Sequence, residues 1–155
     1  MNRSQRISFL LVALSSFLVA FPVMAASPLD VHIEVSTLID TSVPDPFVAS
    51  GPAIDSGLLC SIGLVSDASV DVVGPPDGEF SVLRILKRFS CDDGSGTFDI
   101  KLVVRLDLET HETTANWVVV GGTGDYAGIH GNGKLAGTPI DPGISILDVY
   151  DGKVH

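Results

Sequence analysis

The stretch "TFDIKLVVRLDLE", from Thr97 to Glu109, constrains this chain more than any other. Phe98, Ile100, Leu102, Val104, Leu106 and Leu108 fall on one side of an extended backbone, and Thr97, Asp99, Lys101 and Arg105 fall on the other. Alternation at period two is the mark of a half-buried strand, because successive side chains point to opposite faces. The same rhythm runs through "VHIEVSTLI", where Val31, Ile33, Val35 and Ile39 oppose His32, Glu34 and Ser36. In "GLLCSIGLV" it aligns Leu58, Cys60, Ile62 and Leu64. Gly, Pro, Asp and Ser clusters ("TSVPDP", "GPPDG", "DDGSG") break the pattern about every ten residues, as turns do. About eight strands, short connections and no convincing helix predict an all-β, antiparallel domain. A single closed, eight-stranded barrel and a two-sheet β-sandwich both fit. Closure removes unpaired edge groups from a chain with no helix to cover them, and the long strands favour the barrel.

The N-terminus sets the compartment. "MNRSQR" carries Arg3 and Arg6 and no acid; the apolar run "ISFLLVALSSFLVAFPV" follows, then Val23-Met24-Ala25 with small residues at both recognition positions. That order predicts a secretory signal over 1–25 and a domain over 26–155, secreted or periplasmic. The rival, a membrane anchor, needs roughly 20 apolar residues, more than this run supplies. Cleavage leaves seven Lys and Arg against nineteen Asp and Glu, a balance of −12. Such an acidic surface argues against nucleic acid and, after cleavage, against membranes as partners. Cys60 and Cys91, an even pair in an exported chain, predict one disulfide. A thiol nucleophile or a metal pair is the alternative, but the four histidines have no clustered partners, so no metal is expected.

"NWVVVGGTGDYAGIHGNGKLAG" raises the possibility of nucleotide binding, since Gly122-Thr123-Gly124-Asp125-Tyr126-Ala127 satisfies G-x-G-x-x-G/A after a strand. A dinucleotide site needs a helix next, and Gly128, Gly131, Gly133 and Gly137 forbid one at about 1 kcal/mol each. No Gly-Lys-Ser/Thr follows either, so no nucleotide cofactor is expected. In an all-β chain, glycines serve sharp turns, bulges and close backbone approaches. Gly121, Gly122, Thr123, Gly124, Tyr126 and Gly131 stand as in the signature hairpin that this stretch resembles, that of the allene oxide cyclase and dirigent barrel superfamily. There a strand ends in Gly-Gly-Thr-Gly, followed by an acidic or small residue, an aromatic and a small-residue bend to Arg-Gly. Here His130 replaces the usual Arg and Ile129 the usual Ala, and "Y-x-G" recurs at Tyr150 and Gly152. The resemblance implies an eight-stranded antiparallel barrel with an apolar cavity open at one end. Family cyclases act on plant lipid epoxides and dirigent proteins steer phenoxy-radical coupling; none of their pocket residues is carried over.

Three features carry candidate chemistry. Asp92 and Asp93 flank a flexible turn but lack the ligand spacing of a calcium loop, which favours a solvated turn. Tyr126 and His130 could pair as acid and base at a barrel mouth, set against a surface donor role for the histidine. In "SVLRILKRFSC", Lys87 shares a face with Leu83, Ile85, Phe89 and Cys91, while Arg84 and Arg88 lie opposite with Phe80, Val82 and Leu86. Either a bulge shifts the register, or Lys87 points into a cavity and suits an anionic apolar ligand, or it snorkels at a rim. Lys87, Tyr126 and His130 are thus the candidate ligand-binding residues, and Gly121, Gly122, Thr123, Gly124 and Gly131 the structural hairpin. The expectation is a small apolar-ligand or protein-interaction module without turnover. The alternative is an isomerase- or cyclase-like or dirigent-like protein that steers a reactive apolar molecule. An open apolar cavity with one or two inward polar groups is compatible with the steering reading, whereas a barrel plugged by Trp117, Phe98 and Phe80 excludes it.

Overall fold

The computed structural model describes residues 27–39, 42–74 and 78–155. The expected signal segment and most of the "GPPDG" turn lie outside these residues. Eight strands pair in sequence order and close: β1 (Leu29–Leu38), β2 (Asp45–Ser50), β3 (Ile62–Val72), β4 (Phe80–Cys91), β5 (Gly96–Asp107), β6 (Thr113–Gly124), β7 (Gly131–Asp141) and β8 (Ser145–Val154). Every pairing is antiparallel, and the ring is completed by β1 against β8, from Leu29↔Val154 to Leu38↔Ser145. The barrel is realised, and the sandwich is not.

The period-two reading of β5 holds from Phe98 through Val104, all buried inside the ring, and Leu106 lines its open half. Leu108 lies past the strand end and is exposed. β1 likewise turns Val31, Ile33 and Val35 inward. The alignment expected in "GLLCSIGLV" is corrected. Ile62 and Leu64 are 51% and 45% exposed, and Gly63 and Val65 face the core instead. The reason is local crowding: a Cβ on Gly63 would collide with the Ser90 carbonyl and the Phe47 ring, so the smallest residue must take the inward position. Residues 58–61 precede the strand, and "ASVDVV" is its continuation past a bulge between Asp67 and Ser69.

A one-turn helix, α1 (Pro52–Asp55), stands where no helix was expected. Gly51 enters it at φ 103°, and Pro52 at its start has the φ a first turn needs and no N–H to leave unpaired. Its Ala53 is fully buried. The Cys60–Cys91 disulfide forms as expected, with Cα atoms 6.0 Å apart, tying the connection after α1 to the end of β4.

The interior is divided along its axis. At the end bearing α1, the disulfide and the β4–β5 and β6–β7 turns, aromatic rings fill the ring. Phe89 and Phe98 stack at 4.8 Å, Phe47 and Tyr150 meet Phe89 edge-on at 5.3 and 5.8 Å, and Tyr126 meets Phe98 at 5.8 Å. Such offset and edge contacts add to the gain from burying large rings. Trp117, 2% exposed, joins this core and donates its indole N–H to the Lys134 carbonyl at 3.0 Å. Phe80 lies on the outer face under the Arg105 guanidinium, 4.5 Å from the ring centre, and blocks nothing.

Candidate functional site

The other half of the barrel is a cavity of about 890 Å³, open towards the β1–β2, β5–β6 and β7–β8 loops. Its walls are inward residues of five strands: Val65 and Val70 of β3, Leu83 and Ile85 of β4, Leu102, Val104 and Leu106 of β5, Leu135 of β7 and Ile146 of β8. The β3 bulge changes the strand's parity, which keeps Val70 opposite Ile85 on the inner side. His111, at φ 61°, stands at the mouth. The β5–β6 turn beside it is fixed by Asp107, whose carboxylate accepts the Glu109 and Thr110 amides at 2.9 Å and titrates below its ordinary value, chiefly because of these bonds.

Between the aromatic plug and these walls runs a belt of polar side chains. The Lys87 ammonium is buried, with 4% of the residue exposed, and donates to Asp67 Oδ1 at 2.8 Å across the β3–β4 ladder. Asp45 Oδ1 accepts the Leu38 amide at 2.9 Å. Asp148 Oδ2 accepts the Thr37 hydroxyl at 2.9 Å, and its Oδ1 accepts the Thr113 hydroxyl at 3.4 Å. The Thr113 bond passes across β7 at Gly137, where a Cβ would land on both Thr113 Oγ1 and Asp148 Oδ1. Burial holds the Asp148 carboxyl above its ordinary pKa; the Thr37 bond, Lys87 and Thr113 pull it back, and Asp67 pushes it further up. One step deeper on β8, the Tyr150 hydroxyl is fully buried and makes no hydrogen bond to any described residue. Its pKa is driven well up, first by burial and then by the charges of Asp148, Asp67 and Asp45.

Of the expected ligand residues, only Lys87 reaches this cavity. Arg84 and Arg88 face outward as expected, Arg88 gripping Asp99 with two bonds of 2.9 and 2.8 Å. Tyr126 and His130 lie at the closed end, and the structure does not bring them together as an acid–base pair. The Tyr126 hydroxyl meets Ser95 Oγ at 2.7 Å, and Ser95 is held in turn by Asp93, so this aspartate closes its own turn. His130 is exposed and exchanges backbone hydrogen bonds of 2.9 Å with His155. Gly121 to Gly124 end β6 and Gly131 opens β7, with Thr123 bonded to Thr97 at 2.9 Å and Gly124 at φ 59°. The hairpin glycines therefore shape the plug, not the cavity.

Sequence reasoning missed Asp45, Asp67, Asp148, Thr37, Thr113 and Tyr150. One signal was available: Asp148 shares the parity of Ile146 and Tyr150 in "ISILDVY", a carboxyl on an apolar face. Among the described residues, no group of His, Cys, Asp and Glu has the arrangement of a metal site, and no helix is long and apolar enough to cross a membrane. No family model, curated protein or solved structure matches the chain.

Proposed function

We propose that this is an exported barrel that binds a small, largely apolar molecule in its open half and does not transform it. The observation that carries the reading is the cavity itself. Its volume, about 890 Å³, lies within the range of small-molecule sites, roughly 300–1,000 Å³, and apolar walls with a few convergent polar groups are their usual lining. The belt groups, bonded to one another or to backbone, form a scaffold suited to recognition. The disulfide, which needs an oxidising compartment, fits an extracellular or periplasmic site and supports the signal segment read from the sequence. The closed eight-stranded ring and the Gly121–Gly131 hairpin also support kinship with the allene oxide cyclase and dirigent barrels.

The belt alters the expected ligand. Lys87 alone suggests an anionic guest, but Asp67 already neutralises it, and Asp45 and Asp148 follow. Three carboxyls against one ammonium disfavour a fatty-acid anion.

The steering reading draws on one observation, a carboxyl of raised proton affinity, Asp148, under an apolar cavity; such groups are suited to proton transfer. Native mass spectrometry of the protein from its own host, with ligand analysis before and after incubation, separates the readings. A co-purified molecule released unchanged supports the carrier. Conversion of the guest supports steering, and failure to retain any apolar molecule, native or added, defeats both.

A further inference from the structure

The charges at the cavity floor do not balance. Among the described residues lining it, Asp45 from β2, Asp67 from β3 and Asp148 from β8 face one Lys or Arg, Lys87 from β4; Asp67, 41% exposed, already pairs with it, and the buried Asp45 and Asp148 are left over. Withdrawing carboxylates from water without counter-charge is costly, and the hydroxyls of Thr37 and Thr113 bring hydrogen bonds to Asp148 but no positive charge. The Tyr150 hydroxyl, buried and unpartnered, stands in the field of the same three carboxyls. It lies just beneath the floor and does not line the cavity, and it is a second polar group there left without a partner among the described residues, since buried hydroxyls are ordinarily bonded.

Resting on the reading of the open half as a ligand cavity, we infer that its guest is an apolar molecule bearing a protonated amine, with Asp148 as the counter-ion. The ammonium supplies what the floor lacks, a positive charge beside the Asp148 carboxylate, which lines the cavity. The hydrocarbon part then lies against Leu83, Ile85, Leu102 and Val104. A proton is the competitor, because burial favours the neutral form of Asp148. An amine therefore has to displace that proton, and the guest is bound as an ion pair in a low-dielectric pocket, where such contacts are strongest.

Calorimetric titration of the oxidised protein with decylamine, decanol and decanoate at equal ionic strength tests this. The three probes share a chain and differ in head charge. Decylamine is expected to bind about ten- to a hundredfold more tightly than decanol, the range of one charge-assisted contact, with decanoate weakest. Asp148→Asn keeps an acceptor for one of the Thr37 and Thr113 hydroxyls and presents an amide N–H to the other; it should erase the amine preference while decanol still binds, which also shows the variant folded. Asp45→Asn, which keeps an acceptor for the Leu38 amide, should lower the amine preference in part and serves if Asp148→Asn does not fold. Binding of decanol or decanoate as tight as decylamine overturns the amine inference and leaves the cavity reading standing. A preference unchanged in both variants assigns the amine to the acidic surface and overturns it as well. If none of the three probes binds, the cavity reading itself falls.

Discussion

Lys87 and Asp67 are register partners on β4 and β3, and their ion pair of 2.8 Å has unequal ends. The lysine side chain is 6% exposed and the aspartate 41%. Removing one partner therefore differs from removing the other. Lys87→Met leaves a carboxylate that water at the cavity can still reach, whereas Asp67→Asn strands a buried ammonium. The expected cost is about 1–2 kcal/mol for the first and about 3 kcal/mol or more for the second. Urea unfolding of both variants at neutral pH checks the order. Lys87→Met also separates the ligand classes: it should tighten decylamine binding if the guest is cationic and weaken decanoate binding if the guest is anionic.

Asp148 makes stability depend on pH. Unfolded, it titrates in the ordinary range near about 4; folded, burial raises it. Between those values the native state holds more protons than the unfolded state, so this contribution to stability falls as pH rises through the window. Asp148→Asn should flatten that part of the profile and gain on the wild type at pH values above it. Denaturant midpoints for both proteins across the acidic to neutral range provide the test, and a variant that loses ground as pH rises would refute it. His32 is a separate contribution of the same sign. Its hydrogen bonds to Asp151 and Glu34 raise its pKa, so what it contributes is complete below its unfolded value and lost as pH rises through the folded one.

Gly137→Ala should destabilise the fold by about 1–3 kcal/mol, combining overpacking with a broken buried hydrogen bond. The new methyl would fall on the Thr113 hydroxyl and the Asp148 carboxylate. In a Thr113→Ala background the same change should cost less, because one of the two displaced atoms is gone. Additive costs in that double-mutant cycle would show that Gly137 acts elsewhere.

Reduction of Cys60–Cys91 should cost about 3–4 kcal/mol from loop-closure entropy over 31 residues. Both cysteines sit at the plugged end, away from the cavity. Probe affinity measured below the unfolding transition should therefore survive reduction even as the melting temperature falls. Loss of binding in a still-folded reduced protein would contradict this separation.

The strand rhythm was legible wherever one face is continuously apolar, as from Phe98 to Val104. It failed at β3 because Gly63 yields the interior to Phe47, and period-two reading takes the large exposed Ile62 and Leu64 for core. Lys87 drew attention because it interrupts an apolar face. Asp148 interrupts one in the same way, yet a carboxylate amid eighteen other Asp and Glu carries less contrast than a lysine amid six other cations after cleavage. Asp45 was hidden within "TSVPDP", where two prolines read as a break. The hairpin resemblance rests on residues at the plugged end, so the Tyr126 and His130 it singled out lie away from the cavity. Which end stays open depends on how Phe47, Phe89, Phe98 and Tyr150 meet across four strands, and no local pattern contains that.

Seven of the eight strand pairings join neighbours in sequence; only β1 with β8 brings distant segments together. Nearby hairpins form at low loop-closure cost, so this seam is expected to zip last during folding. The Thr37–Asp148 hydrogen bond spans the seam, linking residues 111 positions apart. Asp148 thus takes its place at the cavity floor only when the ring shuts. Decylamine added during stopped-flow refolding should bind with the kinetics of that closing step and not with earlier strand formation, so the guest would serve as a clock for the ring's completion.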